Sequence, residues 1–191
     1  MRGSVLVRIL IAIAIIGLAL TLASSPMMCS KAFGAEPTTE WGIGGYYGFQ
    51  QNNPTNWWRT GPDVRNYGSA ALSYGYRWDR YLLMGELSVG NWEWKDANYW
   101  STMVSIVGRY DIAQFKTWAI DTELGLGIGI VEDTNLHPFP EGRFQFGLGT
   151  RFFVKEDSYY RIGWRFEHAS SIPTTHDTGY NVHGITVEYH W

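Results

Sequence analysis

After Glu40, a period of two dominates the succession of apolar and polar side chains. In "WGIGGYYGFQ", Trp41, Ile43, Tyr47 and Phe49 share one parity, and Gly42, Gly44, Gly48 and Gln50 the other. "YGSAALSYGYRW" sets Ala70, Leu72, Tyr74, Tyr76 and Trp78 against Ser69, Ser73 and Arg77. The same separation returns in "YLLMGELSV", "WSTMVSIVGRYDI", "TWAIDTELGLGIGI", "RFQFGLGTRFFV", "YYRIGWRFEHASS" and "NVHGITVEYHW". Successive side chains of a strand point to opposite faces, so each segment is a ribbon with one greasy and one polar side. A helix would repeat near 3.6 residues and would mix the two sets on every face.

The polar parity is unusual in holding both signs of charge: Arg77, Glu86, Arg109, Asp111, Asp121, Glu123, Arg143, Arg151, Arg161, Arg165 and Glu167. Segments of about ten residues are long enough to cross a bilayer as tilted strands. The connections near Asp79, Ala113–Lys116 and Lys155–Ser158 read as short. Those at Gln51–Asn66, Asn91–Asn98, Val131–Gly142 and Ser171–Gly179 read as long and polar. Short turns at one end and longer loops at the other mark the outer-membrane pattern. The sequence therefore predicts an all-β fold, an eight-stranded antiparallel transmembrane barrel, over residues 35–191. Its apolar parity faces lipid. Eight strands enclose a bore just wide enough to be filled by side chains, so the charged parity is expected to pair across it and plug it. The inward glycines of "GLGIGI" fit a crowded bore rather than a nucleotide loop. The chain ends on Trp191, which resembles the aromatic terminal signal of outer-membrane barrels. A soluble sheet protein would need the greasy parity inside; strand length and loop asymmetry argue against it.

The N-terminus is of another kind. Arg2 and Arg8 precede the apolar run "ILIAIAIIGLALTLA", and Ala32-Phe33-Gly34 offers a small-residue cleavage site. Residues 1–34 read as a secretory signal peptide. The run is shorter than the roughly 20 residues of a spanning helix. The only cysteine, Cys29, falls inside residues 1–34, so the barrel has no disulfide framework. Removing the segment takes away Arg2, Arg8 and Lys31 and no acid, leaving a remainder more acidic than the −3 of the whole chain. That excludes a general nucleic-acid binder, which needs a basic face. The tryptophans Trp57 and Trp58 read as interfacial anchors.

One place breaks the pattern. In "YYRIGWRFEHASS" the greasy parity of Tyr160, Ile162, Trp164 and Phe166 continues into His168 and Ser170. If both chain ends lie on the periplasmic side, the seventh segment runs outward, and His168 stands about 25 Å up the wall, facing lipid near the outer boundary. Two readings are open. The strand is leaving the membrane and its outward positions turn polar, or a serine nucleophile has a histidine base on the same face two residues away.

At these residues the chain resembles the lipid A 3-O-deacylase (PagL-like) family. "FEHASS" is similar to that family's His-x-Ser element at the outer end of the penultimate strand, and "HDTGYN" to the loop that follows. The resemblance implies hydrolysis of the 3-O-acyl ester of lipid A in the outer leaflet, with Ser170 as nucleophile, His168 as general base and no cofactor or metal. The family has a Glu where this chain has Asn181. Asn181 shares the outward parity of Ile185 and Val187, from which it can reach His168, though it cannot stabilise an imidazolium by charge. His183, on the same parity, is an alternative partner, and Asp177 is a secondary candidate. Where the family has Asn after the serine, this chain has Ser171; where it has a loop Asn, this chain has Asp177, which as a carboxylate cannot donate to an oxyanion. Backbone N–H groups around Ser171 and Ile172 would have to serve. His137, His176 and His190 have no metal-binding spacing. Two other functions stay open: a non-catalytic structural or adhesive barrel, and an acyltransferase on the same lipid. The sequence leaves a homodimer open as well.

Overall fold

The alternating segments become eight antiparallel strands. The computed structural model describes residues 36–50, 64–94, 98–132, 139–171 and 180–191. The strands are β1 (Thr38–Gln50), β2 (Val64–Trp78), β3 (Tyr81–Trp94), β4 (Asn98–Gln114), β5 (Trp118–Glu132), β6 (Phe139–Lys155), β7 (Ser158–Ser171) and β8 (Tyr180–His190). Each pairs with its neighbours in sequence, and β8 returns to β1, so the sheet closes and leaves no edge. At the seam the N–H groups of Trp41 and Trp191 each donate to the other's carbonyl at 2.9 Å. The terminal aromatic residue is thus held at the point of closure.

The two parities separate as the sequence predicts. Ile43, Leu124, Leu126 and Ile185 stand on the outside, each more than half exposed, while Arg161 and Asp121 are fully buried inside. A cylinder with an apolar exterior and every strand paired is stable in hydrocarbon and not in water. The molecule is an integral outer-membrane barrel.

The bore is filled in layers. At the end where β1 begins, Glu40 accepts from Arg77 Nε at 2.8 Å and from the Tyr159 hydroxyl, and Arg151 pairs with Asp111. Next, Arg109 joins Glu123 at 3.1 Å and Glu188 at 2.6 Å, and Arg161 joins Asp121 at 2.8 Å and Glu188 at 2.9 Å. His190 reaches Glu40 through Nδ1 at 2.9 Å and Glu188 through Nε2 at 2.8 Å, linking the two lower layers across the seam. Higher, Arg165 joins Glu123 at 2.5 Å, and Arg143 meets Glu86 at 2.9 Å and the hydroxyls of Ser88 and Ser105. Glycine makes this density possible. A Cβ on Gly127 would lie 2.2 Å from Ser105 Oγ, and one on Gly149 would lie 2.5 Å from the Arg161 guanidinium.

Strand length departs from expectation. The three short turns fall where predicted, and Asp79 takes a left-handed φ of 49° in the first, a conformation that Asp tolerates. At the other end, β3 runs to Trp94 and β4 starts at Asn98, so the long Asn91–Asn98 connection is mostly strand. The Val131–Gly142 connection shrinks likewise between Glu132 and Phe139, and β2 begins at Val64. Pairing continues through these ends although the outward positions Asn91, Glu93 and Asn98 are polar and the inward Trp92 is apolar, the reverse of the alternation lower in the strands. The signal-peptide reading of residues 1–34, with Cys29, lies outside the described residues, as do Trp57, Trp58, His137, His176 and Asp177.

Candidate active site

The outward face of β7 carries Tyr160, Ile162, Trp164, Phe166, His168 and Ser170 in ascending order, and that of β8 carries Tyr189, Val187, Ile185, His183 and Asn181, with Trp191 just beyond its lower end. Register decides which of these meet. His168 pairs directly with Asn181, and Phe166 with His183. Directly opposed side chains on one face of an antiparallel pair lie close enough to interact. Here they do: His168 Nδ1 is 2.8 Å from Asn181 Oδ1. An amide oxygen only accepts, so Nδ1 carries the proton and Nε2 is left as the basic nitrogen. Asn181 is only 2% exposed although it sits on the lipid-facing parity, while His168 is half-buried. Ser170 lies two residues above His168 on the same face, about 6.5–7 Å away along the strand between Cα atoms.

Of the residues singled out from sequence, His168 and Asn181 are thus joined by a hydrogen bond, and Ser170 shares their face. His183 is one pair lower, flanked by Phe166 on β7 and Phe49 on β1. Ser171 ends β7 opposite Glu141, and its side chain lies outside the described residues, as does the whole of Asp177. Among the described residues no group of three or more His, Cys, Asp or Glu is placed to hold a metal ion.

Two supports escaped the sequence reading. Inside the wall, Ala169 and Val182 flank the His168–Asn181 pair from the lumen side and pack into a buried cluster with Tyr46, Tyr67 and Trp92. Tyr67 stacks on Trp92 at 3.8 Å between ring centroids, and the Trp92 indole N–H donates to Ser101 Oγ at 3.1 Å. Outside, β6 places Phe144 beside His168 and Phe146 beside Phe166. Phe146 lies 5.0 Å from Phe166 and 5.5 Å from Trp164 between centroids, an aromatic strip running toward the mid-plane just below the pair. Tyr67 and Trp92 stand on the polar parity of their strands, so alternation alone could not reveal them as a cluster.

The chain matches no protein-family model and no curated protein. Its fold is shared with solved outer-membrane structures. The outer membrane enzyme PagL is 17% identical with a TM-score of 0.58, over 78% of this chain and 97% of that one. Neisserial surface protein A is 10% identical with a TM-score of 0.53, over 80% of this chain and 94% of that one. The N-terminal β-barrel domain of Pseudomonas aeruginosa OprF is 11% identical with a TM-score of 0.51, over 81% and 99%. At these identities the likeness shows the barrel fold of this chain, and no activity.

Proposed function

We propose that this barrel is an outer-membrane serine esterase that removes the ester-linked 3-O-acyl chain of lipid A. The observation that carries the reading is the 2.8 Å hydrogen bond from His168 Nδ1 to Asn181, which orients the imidazole two residues below Ser170 on the lipid-facing wall. In water such a site would be misplaced; for a substrate that is itself a membrane lipid it is where the ester lies. Ser170 Oγ adds to the ester carbonyl carbon as its proton passes to His168 Nε2. The tetrahedral intermediate expels the sugar oxygen, which takes that proton. Water, giving its proton to the same nitrogen, then cleaves the acyl-enzyme, releasing the fatty acid and restoring Ser170. Asn181 holds the ring in the required tautomer through both steps. Oxyanion donors would come from backbone N–H groups around Ser171 and Ile172, with Asp177 as an auxiliary to the base. Residues 1–34 would serve as the export signal and be removed.

One observation favours a different reading. The partner of His168 is a neutral amide rather than a carboxylate, which weakens the case for turnover and suits a structural or adhesive barrel. Mass spectrometry of lipid A from cells with and without the protein separates the two. Loss of one hydroxyacyl chain, abolished by Ser170→Ala in a barrel that still folds, is the expected result. Unchanged lipid A leaves the non-catalytic barrel, and a gain in mass moves the chemistry to acyl transfer.

A further inference from the structure

The β6 strand borders the Ser170 side of the pair, and its outward face is filled almost throughout. Phe144, Phe146, Leu148, Phe152 and Val154 project toward lipid in turn. The column is interrupted at Gly142, which pairs directly with Ser170. The two glycines further down β6 have a different cause. A Cβ on Gly147 would lie 2.4 Å from the backbone carbonyl oxygen of Trp164 and 3.2 Å from the lumenal Glu123 side chain, and one on Gly149 would strike the Arg161 guanidinium, so both yield to crowding on the lumen side. Gly142 stands on the opposite, lipid-facing parity, with Phe144 and Phe146. The gap it leaves is bounded by Ile128 on β5, its register partner on the other side, and by Phe144 one outward position below. On the β8 side, by contrast, the wall beside the histidine is occupied by the buried amide of Asn181. The wall is therefore open over β6 beside Ser170, while the histidine itself is flanked by Phe144 on β6 and Asn181 on β8.

Building on the esterase reading, we infer that Gly142 is a specificity-determining position: its missing side chain is the gap through which a long acyl chain passes from the ester at Ser170 down the wall between Ile128 and Phe144. A ligand with a long saturated chain needs this passage, and one with a two-carbon acyl group does not. Filling the gap should therefore discriminate by chain length and leave the His168–Ser170 pair itself intact.

The test uses the full-length protein, purified from outer membranes in detergent and checked for folding by heat-modifiable gel mobility, with p-nitrophenyl acetate and p-nitrophenyl laurate as probes. Gly142→Leu is expected to lower kcat/KM on the laurate roughly tenfold or more, the scale on which an apolar site responds to a misfitted methylene. Acetate hydrolysis should stay near the wild-type value. Gly142→Ala should move the same ratio in the same direction by less, and it gives the answer should the leucine variant fail to fold. An equal fall on both esters, or no change on either, overturns the role of Gly142. Ser170→Ala run in parallel distinguishes the premise: acetate hydrolysis that survives this change removes the esterase reading itself, whatever Gly142 does.

Discussion

His168 and Asn181 face each other because their positions on β7 and β8 are directly paired, and the amide oxygen then sets the tautomer of the ring. Tautomer selection is the part of a triad's third member that an amide can supply. Charge is the part it cannot. A hydrogen bond to an ionised acceptor contributes about 1.5–3 kcal/mol against about 0.5–1.5 kcal/mol for a neutral one. Through the rate equation, a difference of about 1.4 kcal/mol at the imidazolium stage is roughly a factor of ten. For the proposed esterase, Asn181→Asp, which keeps the length of the side chain and hence the 2.8 Å reach, is expected to raise kcat on lipid A roughly tenfold. Asn181→Leu, which removes the acceptor and leaves Nδ1 without it, should lower kcat by roughly a hundredfold or more. Single-turnover kinetics with purified lipid A measures both. An aspartate variant slower than the parent, or a fully active leucine variant, would show that Asn181 does not orient the base.

The outer ends of β7 and β8 hold that geometry only if the wall behind them is firm. Ala169 and Val182 are small and fully buried, and their backing is the stacked Tyr67–Trp92 pair with Tyr46. Trp92→Ala removes the largest member of the cluster together with the indole hydrogen bond to Ser101. Truncating a buried aromatic side chain of this size costs about 3–5 kcal/mol. The expected outcome is a lower urea midpoint for the barrel in lipid vesicles and a fall in kcat with KM little changed, since the substrate-facing side chains remain. Loss of stability with kcat intact would mean that the cluster is structural only. This cluster also shows where sequence reading stops. The outward strip Tyr160, Ile162, Trp164, Phe166 was legible because lipid demands grease at every second position, and the run of charges on the other parity told which face lay inside. The same alternation placed Asn181 and His168 on one side of the wall. It could not say that Tyr67 and Trp92 stack, because both stand among polar neighbours and meet only through the β2–β3 register. Nor could it show that β3 continues to Trp94 and β6 begins at Phe139, because the outward-apolar pattern that marks the lower strands does not extend to these ends. The gap at Gly142 was invisible for the same reason: it is defined by a cross-strand pairing with Ser170, not by a spacing along the chain.

At the scale of the whole molecule, the filled bore decides what the barrel does not do. The end where the chain enters opens into a polar vestibule of about 660 Å3 lined by Glu40, Arg77, Asp111 and Arg151. Above this mouth the layers of Arg109 with Glu188, Arg161 with Asp121, and Arg143 with Glu86 close the path, and the Tyr46–Tyr67–Trp92 cluster closes it again. A barrel sealed in this way should give no stable conductance in planar bilayers. The seal is also a single electrostatic unit, and Arg161 is the most deeply buried arginine among the described residues. It is fully buried and touches Asp121, Glu123 and Glu188. Buried ion pairs contribute little beyond what a well-packed apolar core would, but removing one partner strands the others without compensation, at about 3–5 kcal/mol. Arg161→Leu takes from Asp121 its near partner, leaving it, among the described residues, only Arg151 at 3.6 Å, while Glu123 and Glu188 keep Arg109. Reversible urea unfolding in lipid vesicles should therefore report a loss of about 3–5 kcal/mol, whereas the double change Arg161→Leu with Asp121→Leu should recover part of it, because the stranded charge has gone as well. Equal stability for the parent and Arg161→Leu would mean that water or ions, rather than the arginine, compensate those acids, and the bore would then be wetter than its packing implies. Conductance appearing in Arg161→Leu while the barrel stays folded would locate the seal in this layer; continued silence would assign it to the aromatic cluster above.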